Sequence, residues 1–164
     1  MLKNILYIIL ISCFSLTIIS YAKNELGTWE KAVLETEQKR DGFKFWYRNP
    51  DRPSQDSLGI AYKGDDDTKI VRPDFIFLAE DDGEIVADIV DPHGFHLADA
   101  LPKLKGLARY AEIHSQIYRR IEAVAETGGN LRVLDLTRAD VRQAVMEAKS
   151  AEALYKSALA GDYV

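Results

Sequence analysis

The stretch Arg72-Pro73-Asp74-Phe75-Ile76-Phe77-Leu78-Ala79-Glu80-Asp81-Asp82-Gly83-Glu84-Ile85-Val86-Ala87-Asp88-Ile89-Val90-Asp91-Pro92-His93-Gly94 decides the fold. Two apolar runs flank an Asp-Gly pair, the preferred centre of a two-residue type I′ hairpin. The first run belongs to a strand expected over 69–78, the second to a strand over 84–91. Apolar residues follow one another at 75–78 and 85–87 without alternation, as in a sheet covered on both faces. With Asp82 and Gly83 as the turn, Asp81 faces Glu84, and Asp74 lands directly opposite Asp91. Opposed side chains on one face have Cβ atoms ~5 Å apart. His93 shares that face if the strand persists. Pro92 keeps Asp91 extended and ends regular pairing. Asp88 has the opposite parity and reads as structural.

Working outward, residues 28–40 read as a helix with Trp29, Ala32, Val33 and Thr36 on one stripe, ended by Asp41-Gly42. Residues 43–48 are aromatic and strand-like, 49–54 form a loop, and 58–63 form a short strand before the acidic turn 64–67. Beyond the hairpin, Leu97, Leu101, Leu104, Ala108 and Ala111 predict a helix over 97–114, with Pro102 early, where its missing N–H costs little. Residues 118–125 alternate as a strand, a continuing helix being the other possibility. Gly128-Gly129-Asn130 turns the chain into a strand over 131–136. Thr137 with Asp140 resembles a capping box for a helix through Ala148, and Ser150 caps a last helix ending at Gly161. This order predicts an α/β (α+β) fold with one mixed central sheet flanked by helices.

The chain has 164 residues, of which 47% are apolar and 29% charged, with a formal net charge of −5. These values fit a globular domain and exclude disorder, collagen-like repeats and a polytopic membrane protein. The acidic balance argues against general coating of polyanions, so any nucleic-acid contact needs a local basic face. Cys13 is the only cysteine, which excludes a disulfide framework and a Cys-based zinc site. Residues 1–22 stand apart. Lys3, an apolar run over 5–19 and Ser20-Tyr21-Ala22 match a secretory signal, and Leu10-Ile11-Ser12-Cys13 loosely fits a lipoprotein box. A genuine signal implies export, with membrane attachment only if the segment is retained. The other reading is a foreign start. Residues 23–164 then form the folded domain.

Two carboxylates as close as those expected at 74 and 91 repel unless a proton or cation lies between them. Mg²⁺ or Mn²⁺ suits such a pair. Exposed Asp beside Pro is also ordinary turn chemistry. Asp91-x-His93-x-x-His96 offers a different set, suited to Zn, Fe or Mn. Arg109, Arg119, Arg120, Arg132, Arg138 and Arg142 are candidate phosphate contacts, with a solvated polar face as the plain alternative. Phe43, Phe45, Trp46 and Tyr47 suit base stacking or a core. His114 reads as a cation at a helix C-terminus.

Arg72-Pro73-Asp74-Phe75-Ile76 followed by Asp91-Pro92-His93-Gly94 resembles the PD-(D/E)xK nuclease signature. Trp29-Glu30, residues 45–50, Ile60-Ala61-Tyr62 and 71–75 extend the likeness to the C-terminal nuclease domain of type III restriction enzyme Res subunits and their DEAD/DEAH-helicase relatives, over roughly residues 25–160. The resemblance implies a restriction-endonuclease-like fold, with Asp74 and Asp91 as Mg²⁺ (or Mn²⁺) ligands and Glu30 as a supporting helix-borne acid. His93 stands where the family has its lysine, and Lys103 or Lys105 is a substitute ammonium. The implied activity is metal-dependent cleavage of DNA, or else a silent module that binds DNA or a helicase or modification subunit, in the cytoplasm and without a small-molecule cofactor. No Gly-x-x-x-x-Gly-Lys-Ser/Thr phosphate loop occurs, so the ATPase motor is absent, and the chain reads as a detached or truncated terminal domain.

Overall fold

Asp82 and Gly83 both have positive φ, 49° and 82°, as a type I′ turn requires. In the computed structural model, which describes residues 26–64 and 67–164, this turn joins β4 (Phe75–Asp81) to β5 (Glu84–Pro92). The register is the one expected: Asp81 pairs with Glu84 and Phe75 with Val90, so position 74 meets position 91 at the open end.

The central sheet has six strands in the order β1-β4-β5-β6-β7-β8. β1 (Phe43–Arg48) lies antiparallel to β4, β6 (Arg120–Thr127) runs parallel to β5, and β7 (Asn130–Asp135) and the two-residue β8 (Gly161–Asp162) continue antiparallel. The parallel step needs a crossover, supplied by the helix Ala100–His114, here α2. One sheet face packs Phe75, Phe77, Val90 and Val124 against Val33 and Leu34 of α1 (Thr28–Glu37). The other face buries Ile76, Leu78, Ile89, Ile121 and Leu134 under α2, α3 (Ala139–Glu147) and α4 (Ala151–Tyr155). The fold is thus α+β, with a mixed, mostly antiparallel sheet covered on both faces.

Several expectations need correction. The strand expected over 69–78 is two strands, β3 (Thr68–Val71) and β4, broken at Arg72-Pro73-Asp74. Pro73 has no N–H to give a ladder. β3 pairs with β2 (Ile60–Lys63) in a separate two-stranded ribbon. The first helix stops at Glu37, and its buried residues are Val33, Leu34 and Glu37. Helix α2 starts at Ala100 rather than 97, leaving Leu97 exposed. No capping box forms at Thr137. Arg138 is the N-cap, and the Thr137 hydroxyl donates to Asp135 at 2.5 Å. Ser150 does cap α4, accepting from the Ala153 N–H at 3.3 Å, but that helix ends at Tyr155, and residues 161–162 form β8.

Among the described residues no helix is long and apolar enough to cross a membrane. The signal-like reading of residues 1–22 lies outside the described residues.

Candidate functional site

The ladder between β4 and β5 ends at Phe75–Val90, and beyond it the two aspartates are tied directly. The backbone N–H of Asp74 donates to Asp91 Oδ1 at 3.1 Å. Asp91, two residues after Ile89 on β5, lies against α2, whereas Asp74 sits in the bend just before β4 and turns to Arg48. Asp91 is 4% exposed. Burial is the main force pushing both carboxyl groups above the ordinary range, and the charge of Asp91 adds to it at Asp74. Arg48, at the end of β1, opposes this at both residues.

Arg48 links three elements. Its Nη2 donates to Glu30 Oε1 of α1 at 2.5 Å, and its Nη1 lies 2.8 Å from Asp74 Oδ1. Its guanidinium carbon stands 5.1 Å from the centroid of the Phe75 ring, a cation–π arrangement. The other Glu30 oxygen accepts from the Gly27 N–H at 2.6 Å, closing the N-terminus of α1. Glu30 therefore reaches the aspartates through a guanidinium. Among the described residues no three His, Cys, Asp or Glu side chains converge on one point.

On the other side of Asp91 is a small cavity of about 10 Å³, at the threshold for a single water. Asp91, His93, Phe95, Lys103, Leu104 and Tyr155 are among the residues lining it. The His93 N–H donates to the Val124 carbonyl at 2.8 Å, which extends the β5–β6 pairing past Pro92. Its buried Nε2 has no hydrogen-bond partner among the described residues and lies 3.9 Å from Asp99. Burial, then the Lys103 charge, hold the imidazole below its usual pKa. Lys103 Nζ rests 2.8 Å from Asp99 Oδ2. His96 is exposed and packs edge-on against Phe95, so the Asp91–His93–His96 set does not close around a shared point. His114 packs at a tilt against Tyr110, ring centres 4.3 Å apart.

Asp88 is structural, as its parity suggested. It is fully buried and accepts from Arg119 at 2.5 Å and Arg120 at 2.8 Å. The other candidate phosphate contacts are mostly engaged as well. Arg132 pairs with Asp162, Arg138 with Asp140, and Arg142 donates to the Leu136 and Thr137 carbonyls. Arg109 is exposed and makes no ion pair among the described residues. Phe43 and Trp46 pack against the core around Phe75 and Phe77. Sequence reasoning missed Arg48 as a bridge and Tyr155 as a wall of the cavity. An arginine closing a strand beside Asn49-Pro50 was a usable hint for the first. Nothing local marked the second, which arrives from α4, 64 residues beyond Asp91.

Fold and site together define an α+β protein with an acidic pair at the open end of its central hairpin. The chain belongs to the YagJ family, whose sequence profile matches residues 17–164. It is 63% identical over 138 residues to "Protein YagJ" of Escherichia coli (strain K12), a match covering 84% of this chain and 57% of that protein. The chain thus spans less than two-thirds of the length of this curated relative. No solved structure matches it.

Membership of this family overturns the resemblance to the type III restriction Res nuclease domain, together with the nuclease and helicase-associated descriptions that came with it. The segments that carried the likeness are short and physically generic. A proline beside an aspartate ends a strand in many sheets, and here Pro73 and Pro92 bound the two sides of one hairpin.

Proposed function

We propose that Asp74 and Asp91 hold a divalent cation, Mg²⁺ or Mn²⁺, at a site for metal-assisted phosphoester hydrolysis. The observation that carries this reading is the tie between the two carboxylate-bearing residues, one of them almost fully buried, at the mouth of the hairpin. Mg²⁺ takes one or two carboxylates and keeps several waters, so a pair is a sufficient protein contribution. When bound, the ion supplies Lewis-acid polarisation of a phosphoryl oxygen and a more acidic water. Lys103 lines the same cavity, and its positive charge favours the ionised form of Asp91. His93 offers an unpartnered ring nitrogen that can orient or accept a proton from a water. Asp99 steadies Lys103.

One observation favours a second reading, a module that binds DNA or a partner without cutting. Arg48 already brings a fixed cation to the acids, 2.8 Å from Asp74, and a guanidinium there competes with a metal ion. Calorimetric titration of the full chain with Mn²⁺ and Mg²⁺, beside plasmid-nicking assays, separates the two. The hydrolytic reading expects one site that Asp74→Asn and Asp91→Asn each weaken at least tenfold, with nicking lost in both. Absence of metal binding by the wild-type chain would leave only the second reading.

A further inference from the structure

The ribbon β2–β3 lies against α2 so closely that a Cβ on Gly106 would come within 2.5 Å of Tyr62 Cβ. Between ribbon and helix runs an open groove of about 210 Å³, lined by Tyr62, Lys63, Leu101, Pro102, Lys105 and Arg109, with Gly64 and Gly106. Lys63, Lys105 and Arg109 bring three positive charges to it, and none forms an ion pair among the described residues. Elsewhere the arginines are largely neutralised by Asp88, Glu37, Asp162 and Asp140. Lys63, Lys105 and Arg109 thus give the groove a cationic lining on a net acidic chain, with Asp65, Asp66 and Asp67 following Gly64 in sequence.

We propose that this groove binds the phosphate backbone of a nucleic-acid strand. Lys105 and Arg109 are four residues apart on α2, hence on one face and about 6 Å apart along the axis, so each can meet a separate phosphate. Lys63 faces them from the ribbon. Leu101, Pro102 and Tyr62 give the groove an apolar part against which sugars can pack. The turn acid Asp67, close to Gly64, marks the end a polyanion must avoid. An acidic peptide shares the charge but not the regular spacing of phosphates, so the strand is the better fit. Lys103, which lines the Asp91 cavity, projects from a different side of α2, two residues from Lys105, so the groove is a surface separate from that cavity. The inference stands without catalysis.

The test is fluorescence anisotropy of a labelled single-stranded oligonucleotide with the full chain, in EDTA, over a salt series. Lys105→Glu/Arg109→Glu is expected to weaken binding at least tenfold and to flatten the salt dependence by about 0.7 per lost phosphate contact. Lys105→Ala/Arg109→Ala, which adds no acid to the helix, is expected to weaken it several-fold, with unchanged circular dichroism as the check on folding. Wild-type affinity in both groove variants, no binding by the wild-type chain, or preference for polyglutamate over the oligonucleotide overturns the groove. Groove-dependent binding without nicking in any metal keeps the groove and removes the hydrolytic reading. Nicking that depends on Asp74 and Asp91 but not on Lys105 and Arg109 does the reverse.

Discussion

The backbone N–H of Asp74 donates to the side chain of Asp91, not to a backbone carbonyl across the ladder. Asp91 thereby takes over where regular pairing stops at Phe75–Val90. Its carboxylate has a structural duty as well as any chemical one. Asn is the proper substitution at 91, since it removes the charge and keeps the Oδ1 acceptor. Ala would strip a hydrogen bond from a part-buried backbone amide at a cost of about 1 kcal/mol.

Arg48→Gln should destabilise the fold. The change removes the cation between Glu30 and Asp74 and the stacking on Phe75. The pair is part-buried, so the loss in urea unfolding should be about 1–3 kcal/mol. If Arg48 competes with a metal ion, the same variant should bind Mn²⁺ more tightly than wild type. Calorimetry reads that second effect independently of stability.

Glu37→Gln should be the more damaging change. Glu37 is 2% exposed and accepts from Tyr163 Oη at 2.6 Å, Arg40 Nε at 2.6 Å and Arg120 Nη2 at 2.5 Å. Burial opposes its ionisation, but the Arg120 hydrogen bond and charge, then Tyr163 and Arg40, bring its pKa below the ordinary glutamate value. Its contribution is present above the unfolded pKa and is lost as pH falls through the folded one. Glu37→Gln should therefore cost about 3–5 kcal/mol at pH 7, and less in acid. Chemical denaturation at pH 7 and pH 4 measures both.

Glu122 titrates in the opposite sense. Burial is the main reason its pKa is pushed up to about 7, and the charge of Glu37 adds to it, against the pull of Arg120. The folded state holds this proton more tightly than the unfolded chain does. Stability from this group is full below the unfolded value near 4.5 and is lost as pH rises towards 7. Glu122→Gln should be close to neutral at pH 5 and more stable than wild type at pH 8, by about 1–2 kcal/mol. Arg120 retains Glu37 and Asp88 as partners in that variant. Paired melting curves at the two pH values show the crossover or its absence.

Gly106→Ala should be unfavourable despite its better helix propensity. Alanine gains about 1 kcal/mol over glycine within a helix. The added methyl meets Tyr62 Cβ at 2.5 Å, an atom fixed to the ribbon backbone. Moving the ribbon off α2 should cost more than the gain, for a net loss of about 1–2 kcal/mol. A stabilised variant in thermal melts would show that the ribbon yields freely.

The hairpin was legible because its signals are local. Asp82-Gly83 fixes the turn, and a period of two then carries the register down to 74 and 91. The misreadings arose where a distant partner decides. Residues 69–71 carry strand-like side chains, yet Pro73 and the ribbon partner at 60–63 remove them from the main sheet. Thr137-x-x-Asp140 has the spacing of a capping box, but Asp135 captures the threonine first. Glu37 lies in the buried stripe of α1 because Arg120 and Tyr163 await it, and no helical periodicity announces a buried acid. The aspartate pair was visible in sequence. The arginine bridging it to Glu30 was not, because that contact joins an N-terminal helix to an edge strand through the third dimension.

The hydroxyl of Tyr163 reaches back 126 residues to Glu37. A chain emerging from the ribosome at roughly 5–20 residues per second exposes that glutamate several seconds before its phenol partner exists. Helix α1 can coil early, yet its inner acid lacks the Tyr163 clasp until residue 163 has been made. Locking this side of the sheet is thus a late event, and a nascent chain halted before residue 163 would hold α1 only loosely.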